Sequence, residues 1–352
     1  RKDIGSTSFK DSKLSDITDW FDTGSFNLNR VISGSVYKGI PQGRVVMIGG
    51  ESGSGKSILA ARTIASALNG KVKHVFFFDS EGGTTKEMMT SQGINIDKIE
   101  HIPVESIEDC SVKIQQVFDT IKAHKKTNPD DQFYIVIDSI GNMVTEKFFT
   151  DAVEKDKQVT DMGLRARAMN TMLTGLCMPS LITNTGVLLI NHIYDSTGDL
   201  HPSKIKAMPG GRKTQFIPHL TLQCSKRLVK NEGDDLGDEA FYEGNVLRFF
   251  SVKNRIARMG VEAECYIDFK TGVDRYHGLL DIAVKYGLIE QNGAFYKCRE
   301  IFGDKSVRSK DVSSKEVMDK LLPIIDKKSI ADMSYSKEEL SQIIIEEETI
   351  LS

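Results

Sequence analysis

Short, uninterrupted apolar runs alternate along this chain with longer stretches in which apolar residues recur every three or four positions. Arg44-Val45-Val46-Met47-Ile48, Val75-Phe76-Phe77-Phe78, Phe133-Tyr134-Ile135-Val136-Ile137 and Val187-Leu188-Leu189-Ile190 stand out. Runs that are apolar along their whole length mark strands buried on both faces. Between them, residues 58–68, then Ile107, Ile114, Val117, Phe118 and Ile121, then residues 163–182 repeat with helical spacing, and Ser106 is placed to cap the second helix. Such alternation predicts an α/β fold with a mostly parallel central sheet flanked by helices. Beyond Leu220 the period changes. Residues 220–225, 246–252 and 264–269 suggest antiparallel additions to the sheet edge. After residue 270, a helix over 279–286, a hairpin turning at Asn292-Gly293 and two polar helices predict a small C-terminal α+β domain. The expected division is a polar arm or linker over 1–30, a core over 31–270, and a C-terminal unit over 271–352 with an acidic end.

Composition narrows the classes. The 352 residues are 39% apolar and 27% charged, with a net charge of −3, which is ordinary for a globular protein. A slightly acidic chain does not advertise nucleic-acid binding, so any such surface must be a local patch. No apolar run approaches the ~20 residues that span a bilayer, and no membrane partner is expected. Cys110, Cys177, Cys224, Cys265 and Cys298 are scattered without a C-x-x-C pair, which suits a reducing cytoplasm and inert thiols. The chain begins at Arg1 rather than Met, which suggests a trimmed N-terminus.

The strongest chemical signal is Gly50-Glu51-Ser52-Gly53-Ser54-Gly55-Lys56-Ser57, a full match to G-x-x-x-x-G-K-[ST] between a predicted strand and a predicted helix. Its glycines let successive N–H groups point into one concavity, and the helix N-terminus adds positive potential there. Lys56 is expected to reach the β- and γ-phosphates of ATP, and Ser57 to hold Mg²⁺. Asp138 ends an apolar strand, where a carboxylate supports the Mg²⁺ shell. Glu81 follows another strand end and is a candidate to orient or deprotonate an attacking water. Residues 193–215 carry Lys204, Lys206, Arg212 and Lys213 around Gly210 and Gly211. A basic loop after a strand bordering the nucleotide is where a DNA contact coupled to ATP should lie.

With Phe78-Asp79-Ser80-Glu81-Gly82, Val136-Ile137-Asp138-Ser139 and Asn191-His192 in that order, the chain resembles the RecA-type recombinases. It is most similar to the phage UvsX-type strand-exchange proteins, which carry a His where bacterial members carry a Gln. Upstream, Thr23-Gly24-Ser25-Phe26-Asn27-Leu28 and Gly39-Ile40-Pro41-Gln42-Gly43-Arg44 extend the likeness. Downstream it runs through Met162-Gly163-Leu164, Gly210-Gly211, Lys253-Asn254-Arg255 and Gly278-Leu279-Leu280-Asp281 to Gly293-Ala294-Phe295-Tyr296.

The resemblance implies a RecA-like P-loop ATPase core and a DNA-dependent ATPase. Such a protein polymerises on single-stranded DNA as a helical filament and exchanges strands with double-stranded DNA. Mediator and single-strand-binding proteins are its expected partners, in the cytoplasm of a bacterial host if the chain is phage-encoded. By the same resemblance, His192 senses the γ-phosphate and passes its state to the following loop. Residues 147–163 form a second DNA-facing loop, with Met162, Arg165 and Arg167 at or after its end. Lys253 and Arg255 reach the neighbouring subunit's ATP, and the N-terminal arm, shorter here than in full-length relatives, docks on the next protomer. Met88 departs from the pattern, standing where many members stack a Tyr on adenine. Two alternatives stay open: a ring-forming helicase motor, and a RecA-like accessory protein with little hydrolysis. The joint presence of Lys56, Ser57, Glu81 and Asp138 weighs against the second, and the lack of a separate primase-binding domain against the first.

Overall fold

A computed structural model describes residues 8, 11, 12, 14, 16–153, 162–194, 205–230 and 242–334. The N-terminal part contributes β1 (Trp20–Phe21), α1 (Phe26–Ser33) and β2 (Ile40–Pro41), and β1 pairs with β2. The strand–helix alternation then runs β3 (Val45–Gly50), α2 (Lys56–Asn69), β4 (Val72–Asp79), α3 (Lys86–Ser91), β5 (Ile99–Pro103), α4 (Ile107–Lys125) and β6 (Gln132–Asp138). It continues with α5 (Glu146–Val153), α6 (Met162–Ile182), β7 (Gly186–His192), β8 (Leu220–Lys230), β9 (Tyr242–Asn254), β10 (Glu262–Asp268) and β11 (Gly272–Val273). The C-terminal part holds α7 (Leu279–Lys285), β12 (Glu290–Asn292), β13 (Phe295–Lys297), α8 (Arg299–Phe302), β14 (Ser306–Arg308), α9 (Ser309–Val312) and α10 (Lys315–Met333).

β3 to β11 form a nine-stranded sheet in the order β11-β10-β9-β8-β3-β7-β6-β4-β5. Pairing is parallel from β8 through β3, β7, β6 and β4 to β5, and antiparallel from β8 outward to β11. Side chains divide by strand period. Val46, Ile48, Tyr134, Val136, Leu188 and Ile190 pack on the face covered by α1 and α2. Val45, Met47, Ile135, Ile137, Val187 and Leu189 pack on the face covered by α4 and α6. Strands covered on both sides must be apolar throughout, which is why the opening pattern was uninterrupted. Ser106 caps α4 by accepting the Asp109 N–H at 2.9 Å, an interaction worth ~1 kcal/mol. A three-stranded antiparallel sheet, β12-β13-β14, packs with α7 and α10 in the C-terminal part.

Three expectations change. β8 was expected to be antiparallel but runs parallel to β3, pairing Val46 with Leu220. The stretch between His192 and Leu220 is long enough to return the chain to the amino edge, as a parallel connection requires. β5, an edge strand with the polar residues Glu100 and His101, carried no strand signal. Residues 20–30 are also not linker. Phe21, Phe26 and Leu28 join the core, while Asn27, Asn29 and Arg30 are buried polar side chains with partners. Arg30 Nη2 donates to Asn27 Oδ1 and to Glu262 O, and Asn29 Nδ2 donates to Asp22 Oδ1 and Val36 O. Buried charge persists only when satisfied in this way.

All five thiols are free, and burial pushes Cys110 and Cys265 up to about 12 and Cys224 up to about 11. At the amino end of β3, buried His219 accepts the Val45 N–H through Nδ1 at 3.0 Å. Burial first, then the nearby Arg44, Arg255 and Lys253, pulls its pKa from 6.5 to about 4. The folded imidazole is therefore neutral where the unfolded one binds a proton. Its contribution to stability is fully present above pH 6.5 and is lost as pH falls toward 4, by up to ~3 kcal/mol. His219→Asn keeps an acceptor without the titration. Its denaturant midpoint should drop less than wild type's between pH 7 and 4.5, whereas matching drops would assign the acid sensitivity to other groups.

Candidate functional site

Parallel pairing delivers the chemical groups to one edge of the sheet. Gly50 at the end of β3 lies opposite His192 at the end of β7, and Asp79 at the end of β4 lies opposite Asp138 at the end of β6. Between β3 and α2, residues 51–55 fold over a cleft of about 280 Å³. Ser52, Gly53, Ser54, Gly55, Lys56, Ser57, Glu81, Asp138 and His192 are among its lining residues. Two glycines are required by space. A Cβ on Gly50 would lie 2.3 Å from Cys224 Sγ, and Gly55, at φ +96°, would place one 2.9 Å from Ile267 Cδ1.

The electrostatics are those of a polyphosphate site. Lys56 Nζ donates to Gly50 O at 3.0 Å and to Glu51 O at 2.7 Å, folded back along its own loop. Burial lowers its pKa, against the nearby Cys224, Asp138 and Glu81. Ser57 Oγ donates to Asp138 Oδ2 at 2.6 Å, and burial of Asp138 raises its carboxyl above the ordinary range. A hydroxyl and a carboxylate converging beside a lysine and a helix N-terminus fit a hard divalent cation bound with phosphate oxygens. The residues present therefore suit ATP with Mg²⁺.

Glu81 stands at the mouth of the cleft. Its Oε1 accepts from Ser139 Oγ and from Asn142 Nδ2 at 2.9 Å, and His192 Nε2 lies 3.1 Å away. Its turn is set by Asp79, whose Oδ1 accepts the Glu81 and Gly82 N–H groups at 2.9 and 2.7 Å. Burial acts to raise the Glu81 carboxyl, but the hydrogen bonds of Ser139 and His192, with the charges of His192 and Lys56, hold it below the usual range. The carboxylate is thus ionised and aimed. Ser139 and Asn142 were missed in the sequence, although both lie just past Asp138. Asn245 on β9, Ile267 on β10 and Phe269 in the turn after β10 also line the cleft, from a stretch that carries no motif.

Other expected residues sit elsewhere. Met88, in α3, packs against the main core cluster and is not among the cleft-lining side chains. Lys253 and Arg255 are also absent from that lining. Lys253 Nζ donates to Phe216 O and Pro218 O, and burial, then Arg255, lowers its pKa to about 8. Of the loop expected over 147–163, residues 147–153 belong to α5, which exposes Phe148 and Phe149, while 154–161 lie outside the described residues. Met162 opens α6. Arg167 is exposed, whereas Arg165, expected to face DNA, turns back and donates to Gly141 O. In the basic loop, Gly210 and Gly211 lead into a short helical turn over Arg212–Gln215 whose Arg212 and Lys213 are exposed. Lys204 lies outside the described residues. Lys206 is not held out toward solvent, since its Nζ lies 3.1 Å from Glu51 Oε1.

A phosphate loop at the carboxyl edge of a largely parallel, helix-covered sheet defines an α/β nucleotide-binding protein. The sequence matches a model described as the RecA N-terminal domain over residues 5–274. The chain belongs to the RecA family. It is 28% identical over 298 residues to the "Recombination and repair protein" of Enterobacteria phage T4, covering 81% of this chain and 71% of that protein. It is also 28% identical over 277 residues to "Protein RecA" of Colwellia psychrerythraea, covering 78% and 73% respectively.

Proposed function

We propose that this protein is a RecA-type recombinase: a DNA-dependent ATPase that assembles as a helical filament on single-stranded DNA and exchanges strands with a duplex. The observation that carries the reading is the Glu81 carboxylate, held by Ser139 and Asn142 at the mouth of the phosphate cleft and touched by His192. A carboxylate so placed can position and deprotonate a water facing the terminal phosphate. His192 ends the strand that leads into the basic loop, so the group contacting the base also borders the DNA-facing segment.

Within this reading, Lys56 balances phosphate charge, while Ser57 and Asp138 hold Mg²⁺, which supplies charge neutralisation and alignment of the phosphoryl group. Gly50 to Ser57 cradle the phosphates with backbone N–H groups. Ile267 and Phe269 offer an apolar surface for the base beyond them, in place of Met88, which packs on the core from α3. Lys253 and Arg255, outside their own cleft, act on the neighbour's ATP. Arg167, Lys204, Arg212 and Lys213 carry DNA phosphate contacts around Gly210 and Gly211, with Met162 as an apolar wedge. The segment before Trp20 docks on the next protomer, and mediator and single-strand-binding proteins act with the filament in the cytoplasm.

Electron microscopy with single-stranded DNA and ATP tests the assembly. Helical filaments are expected, whereas closed rings would favour a helicase motor and free protomers an accessory protein. For the DNA face, neutralising Lys204, Arg212 and Lys213 should weaken single-strand binding with little sequence dependence. The log–log salt slope should flatten by roughly 0.7 for each DNA phosphate that is no longer neutralised. Titration of labelled strands at several salt concentrations reads the slope, and an unchanged slope would place DNA on another surface.

A further inference from the structure

The outer side of the phosphate loop is braced by three side chains that no motif marks. Lys226 Nζ on β8 donates to Ser52 O at 2.7 Å, Asn245 Nδ2 on β9 donates to Gly53 O at 3.3 Å, and Lys206 Nζ lies 3.1 Å from Glu51 Oε1. The first two come from strands of the main sheet. The third comes from the segment between β7 and β8, and its root is fixed. Gln223 Oε1 accepts the Lys206 N–H at 2.9 Å, Gln223 Nε2 donates to Lys206 O at 2.6 Å, and Gln215 Nε2 donates to the same oxygen at 3.1 Å. Tyr194 and Ala207 exchange backbone hydrogen bonds of 3.0 and 3.1 Å. The chain leaving β7 at His192 is therefore tied, two residues on, to the chain that carries Lys206. A continuous path runs from Glu81 through His192, Tyr194, Ala207 and Lys206 to Glu51, and so back to the first turn of the phosphate loop.

The Lys206 and Glu51 side chains are 31% and 36% exposed. A pair so exposed adds only ~0–1 kcal/mol to stability. Its significance lies in what it joins. Glu51 is the only carboxylate within the Gly50–Ser57 motif, and Lys206 belongs to the segment in which Arg212 and Lys213 face outward.

We propose that Lys206 and Glu51 form a latch through which the phosphate loop and the 193–215 segment bias each other. Lys206 is then a positioning residue for the nucleotide site and not a DNA-phosphate contact. The inference rests on the reading of that segment as DNA-facing. A strand bound along the segment acts on the already fixed Lys206, and through its contact with Glu51 on the first turn of the phosphate loop. By reciprocity, nucleotide in the loop favours strand binding by the segment by the same factor.

That coupling factor is the ratio of Kd values for a fluorescent, non-hydrolysable ATP analogue without and with an oligo-dT strand. Lys206→Met and Glu51→Gln are each expected to lower it toward one, by up to ~5-fold. The Lys206→Met protein should keep the wild-type salt slope for strand binding measured without nucleotide. The charge swap Glu51→Lys/Lys206→Glu should recover most of the coupling. Lys206→Met flattening the slope by about 0.7 with coupling intact would make Lys206 a phosphate contact and overturn the latch. Single variants that couple like wild type, or a swap no better than the singles, would overturn it too. A wild-type protein with no coupling at all would instead remove the recombinase reading, and the latch with it.

Discussion

Glu81→Gln is expected to bind ATP as tightly as the wild type and to hydrolyse it ~10²–10⁴-fold more slowly. The amide keeps the size of the side chain and one acceptor oxygen. With that oxygen toward Ser139 and Asn142, which both donate to Glu81 Oε1, the NH₂ group turns into the cleft. A donor then stands where the reaction needs a base. Filaments should form and persist, because assembly follows nucleotide binding and not turnover. Since hydrogen bonds and nearby charge hold the Glu81 carboxyl below the usual range, its basic form should last through mildly acidic pH. Turnover should therefore show no loss on its account between pH 7 and 6. Single-turnover ATPase assays read both effects, and hydrolysis within a few-fold of wild type would remove Glu81 from the mechanism.

The Lys253→Ala/Arg255→Ala protein should keep its fold and its nucleotide affinity as a monomer while losing DNA-stimulated turnover. A cation supplied across an interface to a transferring phosphoryl group is worth ~10³–10⁵ in rate. Neither side chain lines its own cleft, and Lys253, its pKa lowered to about 8, gains most from a neighbour's anion. The decisive form mixes this protein with Glu81→Gln. Some interfaces then join an intact Glu81 site to an intact Lys253/Arg255 donor, so partial ATPase activity should return although neither protein alone is active. An inert mixture, with co-assembly seen by microscopy, would assign the pair to DNA binding or to the surface.

What could be read from sequence follows from how local each signal is. The buried strands, the phosphate loop and Asp138 are written within a few consecutive residues, because burial on both faces and a tight glycine turn constrain each position. The direction of β8 is not local. It depends on where the preceding chain crosses, and the apolar run is the same either way. Asn27, Asn29 and Arg30 looked solvent-facing because their partners, among them Glu262 O and Val36 O, are distant or backbone atoms. Charge likewise says nothing about partner: Arg165 and Lys206 fit a DNA face by charge alone, yet in the fold they meet Gly141 O and Glu51. Phe269 reaches the cleft from the edge added by antiparallel strands, a proximity that no spacing encodes.

The adjacent parallel strand ends that carry Gly50, His192, Asp138 and Asp79, with His192 two residues beyond the level of Asp138, act as a ruler. Neighbouring strands lie ~4.8 Å apart, so the distances between the groups they carry are set by backbone pairing and not by loop length. The two rims of the sheet should therefore differ in how freely they accept change. At the opposite rim, the exposed turn around residues 127–130 before β6 is a natural place for a peptide tag or a fluorophore-bearing insertion. One added residue after β4 or β6 would instead shift Glu81 or Ser139 relative to the phosphate loop.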